Sequence, residues 1–161
     1  MIEYALFAAG CFWGVQAAFD AVPGVLETQV GYIGGTVAHP TYEQVCTDTT
    51  GHAEAVQIKY DSTIVTYDHL LDIFFDNHNP TTLNQQGPDI GTQYRSAIFY
   101  LNDSQKNQAL NKIKELDNKH IFGRPIVTEV VPATDFYPAE EYHQKYLEKK
   151  GRKSCFSCLF K

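Results

Sequence analysis

The first candidate for chemistry is a thiol. Cys11 stands in Ala9-Gly10-Cys11-Phe12-Trp13-Gly14, against two large aromatics, one of them the only tryptophan of the chain. A cysteine that loses its proton readily is a nucleophile, whereas one that keeps it behaves as a small core residue. Both readings fit this stretch, and in the second Phe12 and Trp13 are packing. Two more thiols, Cys155 and Cys158, are separated by two residues near the end of the chain. Lys149, Lys150, Arg152 and Lys153 precede them, and nearby cations favour a thiolate able to exchange disulfides. Proton donors come from two polar stretches. Tyr42 and Glu54 bracket one, Asp89 and Tyr94 the other, so a tyrosine and a carboxyl group recur together. Such a set is a sensible group of proton donors around a thiolate. Taken singly, the tyrosines read as packing and Asp89 as a turn residue. Cys46 reads as core or loop packing, His52 as a structural imidazole in a tight turn, and His143 as an organiser of the last helix.

These side chains need a scaffold, and hydrophobic periodicity supplies one. Residues 2–8 form an apolar run expected to be a strand. Val15, Ala18, Phe19 and Val22 then recur at helical spacing as far as Pro23-Gly24. Cys11 therefore falls where a strand turns into a helix, and the helix dipole there is expected to favour the thiolate. Further strands are expected over 25–33, 53–60, 94–101 and 126–131. Helices are expected over 66–78, after an Asn102/Gln105 capping box, and over 138–150. Residues 36–52 and 81–93 read as long polar loops, the usual place for site residues. The order βαββαβαβα opens with the elements of a split βαβ plait. The expected fold is an α+β two-layer sandwich with a ferredoxin-like, mostly antiparallel sheet. Residues 1–150 are read as one catalytic domain and 151–161 as a mobile C-terminal redox tail.

The chain of 161 residues is 43% hydrophobic and 20% charged, with a net charge of −6. This composition fits one soluble domain, and the acidic balance argues against nucleic-acid binding. No apolar run has the roughly 20 residues that a membrane span needs, and no secretory leader is recognisable. A cytoplasmic setting and a monomer are expected. Four cysteines are too few for a disulfide scaffold, so redox or metal chemistry is the better expectation for them.

Gly10-Cys11-Phe12-Trp13-Gly14 resembles the signature of the peptide methionine sulfoxide reductases of the A type. The likeness continues through Gly31-Tyr32-Ile33-Gly34-Gly35, Pro40-Thr41-Tyr42 and Gly51-His52-Ala53-Glu54. It then takes in residues 87–96, Phe136-Tyr137-Pro138-Ala139-Glu140 and Tyr142-His143-Gln144, all in the family's order. The resemblance implies that Cys11 attacks the S epimer of methionine sulfoxide, free or in proteins. Glu54 would protonate its oxygen, with Tyr42 and Tyr94 hydrogen-bonding that oxygen and Asp89 holding the site. Phe12 and Trp13 would enclose the S-methyl group. Cys155 would resolve a Cys11 sulfenic acid, and Cys158 would pass the oxidation to thioredoxin or another dithiol, with no metal or bound cofactor. In the family's usual tail the two cysteines lie farther apart among glycines, which leaves open which of this pair resolves first.

Three other readings lead to different experiments. Cys155 and Cys158 could be half of a zinc site, although a lone CxxC is a weak zinc signal. Cys158-Leu159-Phe160-Lys161 has the shape of a prenylation motif, although lysine is not a usual last residue. A cysteine hydrolase would instead need a histidine base for Cys11 and would not depend on the tail cysteines.

Overall fold

The computed structural model describes residues 1–149. Strand β1 (Ile2–Ala9) leads into helix α1 (Phe12–Asp20) and strand β2 (Val25–Ile33). A one-turn helix α2 (Tyr42–Cys46) precedes strand β3 (Ala53–Asp61) and helix α3 (Tyr67–Asp76). A two-stranded hairpin of β4 (Gln85–Gln86) and β5 (Asp89–Ile90) and a 3-10 turn over Thr92–Tyr94 then lead to β6 (Ser96–Tyr100). Helix α4 (Asp103–Asn118), β7 (Glu129–Pro132), β8 (Tyr137–Pro138) and the short helix α5 (Tyr146–Lys149) complete the described residues.

The main sheet runs β7-β6-β1-β3-β2-β8. Its central four strands, β6-β1-β3-β2, are antiparallel throughout. With α1 and α3 as crossovers this is the split βαβ plait, so the α+β expectation holds. β8 adds an antiparallel edge and β7 a parallel one. Alternation along the strands gives the sheet two faces. Phe7, Val30, Val56 and Ile58 point toward the helices and pack with Phe19, Leu70, Leu71 and Phe74. Leu6, Ala8, Ala53, Ala55, Ala97 and Phe99 form the other face, under Val131, Ala133 and Phe136. Its small side chains let the stretch around residue 133 cover the sheet without another helix.

Four local expectations change. Residues 138–150 are not one helix: Pro138 is in β8, Glu141–His143 form a 3-10 turn, and α5 begins at Tyr146. The helix is broken because the Glu140 carboxylate accepts from the Tyr32 hydroxyl and the Tyr42 N–H, and Lys145 adopts a positive φ. The polar stretches contain α2 and the β4–β5 hairpin. Thr41 and Gln44 make a complete capping box for α2. At α4 only half of the expected box forms: Asn102 Oδ1 accepts from the Gln105 N–H, but Gln105 Oε1 accepts from the Leu101 N–H instead. The strand expected over 126–131 starts at Glu129, because Ile126 and Val127 donate to the Asp117 side chain and Pro80.

No helix among the described residues is long and apolar enough to cross a membrane. The expected tail, with Cys155 and Cys158, lies outside the described residues.

Candidate active site

Gly10 makes the turn from β1 into α1. Its φ is +88°, and a Cβ there would stand 2.7 Å from Cγ of Gln86. Both the backbone conformation and the close neighbour require glycine. Cys11 follows as the cap residue of α1, with no hydrogen bond from its side chain to the helix.

Cys11, Trp13, Tyr42, Glu54, Pro88, Asp89 and Tyr94 line one cavity of about 220 Å³. Five separate elements meet there: the start of α1, the start of α2, β3, the β4–β5 hairpin and the following 3-10 turn. The nucleophile candidate and the four proton-donor candidates, up to 83 residues apart in sequence between Cys11 and Tyr94, thus share one space. Trp13 forms part of the wall. Phe12 does not line the cavity. As the first residue of α1 it is directed into the core, where its ring meets Tyr32 at 5.8 Å and His143 at 5.2 Å between centroids.

Glu54 is 2% exposed. One carboxyl oxygen accepts from the Phe12 backbone N–H at 3.3 Å, the other from Gln93 Nε2 at 3.3 Å. Burial pushes its pKa up to about 7, because a charge there has lost its water. The two donors favour the ionised form and pull in the other direction, while the negative charge of Asp89 adds to the rise. Burial also raises the pKa of Asp89, and it is the largest cause of the rise for Tyr42 and Tyr94, whose phenols are protonated hydroxyl donors near neutral pH in any case.

The thiol departs from expectation. Trp13 and Gly14 N–H groups at the helix start do favour a Cys11 thiolate, but burial outweighs them, and the Glu54 charge adds to it. The thiol is pushed up to about 12. At rest Cys11 is therefore a thiol, and of these influences the charge on Glu54 is the one that protonation removes.

Two contributors escaped the sequence reading. Gln93, 3% exposed, bridges Glu54 and the Cys46 sulfur, the latter at 3.6 Å. Glu140 holds the start of α2 against β2 through Tyr42 and Tyr32. Neither glutamine nor a second glutamate stands out as chemical without its partners. Gln93 was legible only as a neighbour of Tyr94. His52 is structural, as expected: Nδ1 accepts from the Gly35 N–H and Nε2 lies 2.7 Å from the Val37 carbonyl oxygen. Cys46 is exposed rather than packed. Among the described residues no group of three or more His, Cys, Asp or Glu is arranged to hold a metal ion.

Residues 3–159 match the family model described as peptide methionine sulfoxide reductase. A relative from Methanosarcina acetivorans named peptide methionine sulfoxide reductase MsrA is 58% identical over 150 residues, 93% of this chain and 80% of that one. One of the same name from Geobacter sulfurreducens is 56% identical over 154 residues, covering 96% and 95%. Among solved structures, Mxr1 from Saccharomyces cerevisiae in reduced form superposes with a TM-score of 0.88 at 36% identity, over 93% of this chain and 86% of that one. Mxr1 in complex with Trx2 shares the fold, with a TM-score of 0.64 at 24% identity over 90% and 84%.

Proposed function

The chain belongs to the peptide methionine sulfoxide reductase family and is a methionine sulfoxide-reducing enzyme; we propose that its oxygen acceptor is Cys11 and its acid Glu54. The observation that carries this reading is the shared cavity, in which a buried carboxyl group with a pKa of about 7 and the Cys11 thiol line the same wall. The substrate is the S epimer, free or in proteins, with its oxygen toward Glu54, Tyr42 and Tyr94 and its S-methyl group against Trp13. Phe12 packs instead against Tyr32 and His143 in the core.

Sulfoxide reduction needs two protons and a nucleophile. The Glu54 proton goes to the sulfoxide oxygen, which weakens the S–O bond, and the Cys11 sulfur attacks the substrate sulfur. The thiol proton returns to the carboxylate. Transfer of the hydroxyl group to Cys11 then releases methionine and leaves Cys11 as a sulfenic acid, so the sulfide is formed by two-electron reduction while the thiol is oxidised. With Glu54 protonated, its Coulomb penalty on the thiolate disappears, so the acid form is the one that helps both partners. Asp89 keeps a negative charge near the carboxyl group and sustains its proton affinity.

Cys155 condenses with the sulfenic acid and releases water, and Cys158 displaces Cys11 from that disulfide. The resulting Cys155–Cys158 disulfide is reduced by thioredoxin or another dithiol. The cysteines carry the electrons, so no bound cofactor is invoked. Mxr1 has been solved in complex with Trx2, which makes a thioredoxin the reductant to test. Residues 1–150 act as the catalytic unit and 151–161 as the redox tail. The protein works as a monomer in the cytoplasm, where reduced thioredoxin is available.

The test uses Cys→Ser variants with dithiothreitol or thioredoxin. Cys11→Ser abolishes release of methionine in a single turnover. Cys155→Ser and Cys158→Ser retain that single turnover and lose thioredoxin-supported cycling. Activity in Cys11→Ser would overturn the assignment.

A further inference from the structure

Trp13 carries the only indole of the chain, and residues 130 or more positions away hold it in place. Its Nε1–H donates to Nδ1 of His143 at 3.0 Å. Its ring stacks on Tyr146, with centroids 3.9 Å and planes 13° apart. His143 meets Tyr42 at 4.4 Å and Phe12 at 5.2 Å between centroids. It thus stands between two walls of the cavity, Trp13 and Tyr42, without lining the cavity itself.

His143 is 1% exposed. Because Nδ1 accepts a hydrogen bond, the neutral ring carries its hydrogen on Nε2. That Nε2 is buried and has no hydrogen-bond partner among the described residues. Buried donors are normally paired. Here the imidazole is enclosed by aromatic rings, including Tyr142 at 4.2 Å, whose faces accept only weakly. A leucine or phenylalanine would fill this space without stranding a donor. The imidazole is explained by what Nδ1 does.

We propose that His143 is a positioning residue for the substrate pocket: its Nδ1 fixes the rotation of the Trp13 indole at the S-methyl wall. The proposal rests on Trp13 being that wall. His143 touches neither substrate nor reacting atoms, so its loss acts on binding more than on the chemical step.

Three variants separate acceptor geometry from bulk. In His143→Asn, Oδ1 falls where Nδ1 stands; in His143→Gln, Oε1 falls near the Nε2 position; His143→Leu has no acceptor. Fluorescence of the single tryptophan reads the indole directly in the reduced protein. Acrylamide quenching of Trp13 is expected to rise about twofold in the Leu and Gln variants and to stay at the parent value in Asn, since only Asn returns the indole its partner. With dithiothreitol as reductant, KM for methionine sulfoxide is expected to rise about tenfold in Leu and Gln, with kcat within about twofold of the parent. Thermal unfolding confirms that each variant is folded, and the Asn–Gln contrast remains decisive should Leu fail to fold. Parent-like quenching and KM in Gln, or equal behaviour of Asn and Gln, would overturn the proposal. A parallel Trp13→Ala variant tests the wall itself. If its KM were unchanged the pocket reading would fail, while quenching in the His143 variants would still report whether the indole is held.

Discussion

Glu54 and Cys11 oppose each other while both are charged, and they cooperate once the carboxyl group takes a proton. The activity of the reduced enzyme is therefore expected to fall as pH rises through about 7, where Glu54 ionises. Glu54→Gln is expected to lower the single-turnover rate by roughly 10²–10⁴-fold and to abolish that alkaline limb. Stopped-flow release of methionine measures both. The same substitution removes the neighbouring negative charge from Cys11, so alkylation of Cys11 by iodoacetamide should extend to lower pH than in the parent. An unchanged alkylation profile would mean that the two groups are not coupled. Gln93 acts in the opposite sense. Its amide favours ionised Glu54, so Gln93→Leu is expected to move the alkaline limb to higher pH, as read from the same rate profile.

At the scale of elements, the site depends on two turns. Gly10 lets β1 give way to α1 with the thiol at the helix start. Gly10→Ala would place a methyl group against Gln86 at a φ that L-residues disfavour, at a cost of about 1–3 kcal/mol. Denaturant unfolding should show that loss, together with reduced single-turnover activity because Cys11 moves with the turn. Glu140 does for α2 what Gly10 does for α1. Glu140→Ala leaves the Tyr32 hydroxyl without its acceptor and unties the first residue of α2. A loss of about 1–3 kcal/mol is expected for the stranded group, with a weaker substrate interaction through Tyr42. Hydrogen exchange at the Tyr42 amide would register the untying.

Over the whole molecule, two buried groups give opposite pH dependences of stability. Glu54 has a folded-state pKa of about 7 against an ordinary 4.5, so the folded state binds the extra proton and that contribution is lost as pH rises from 4.5 through 7. His78, between the Phe74 carbonyl and the Ser96 hydroxyl, is held neutral by burial, with a pKa of about 4 against 6.5. Its contribution is lost as pH falls from 6.5 toward 4. Between these limits the two largely cancel. In Glu54→Gln the cancellation ends: relative to the parent, the variant should gain about 3 kcal/mol between pH 4.5 and pH 8. Chemical unfolding of both proteins at the two pH values tests this, and a constant difference would mean that Glu54 is not a buried acid.

By itself the sequence determined β1, β2, β3, β6 and the helices α1, α3 and α4, because periodicities of two and of three to four residues are local and strong, but not α2, the β4–β5 hairpin or β8. The strand leading into Cys11 and the stripe Leu70, Leu71, Phe74 are examples. It also determined which residue types were available for the chemistry at Cys11, Glu54, Tyr42, Tyr94 and Asp89. Only the tertiary structure decided that these side chains share one cavity, since the antiparallel order brings the end of β1 and the starts of β3 and β6 to the same end of the sheet. It alone decided the proton states, because burial, not residue type, raises Glu54 and overrides the helix start at Cys11. Residues 138–149 show the limit most plainly. Their local pattern favours one helix, and hydrogen bonds to Glu140 from the Tyr32 hydroxyl and the Tyr42 N–H, with Trp13 seated on His143, break it into the frame of the pocket.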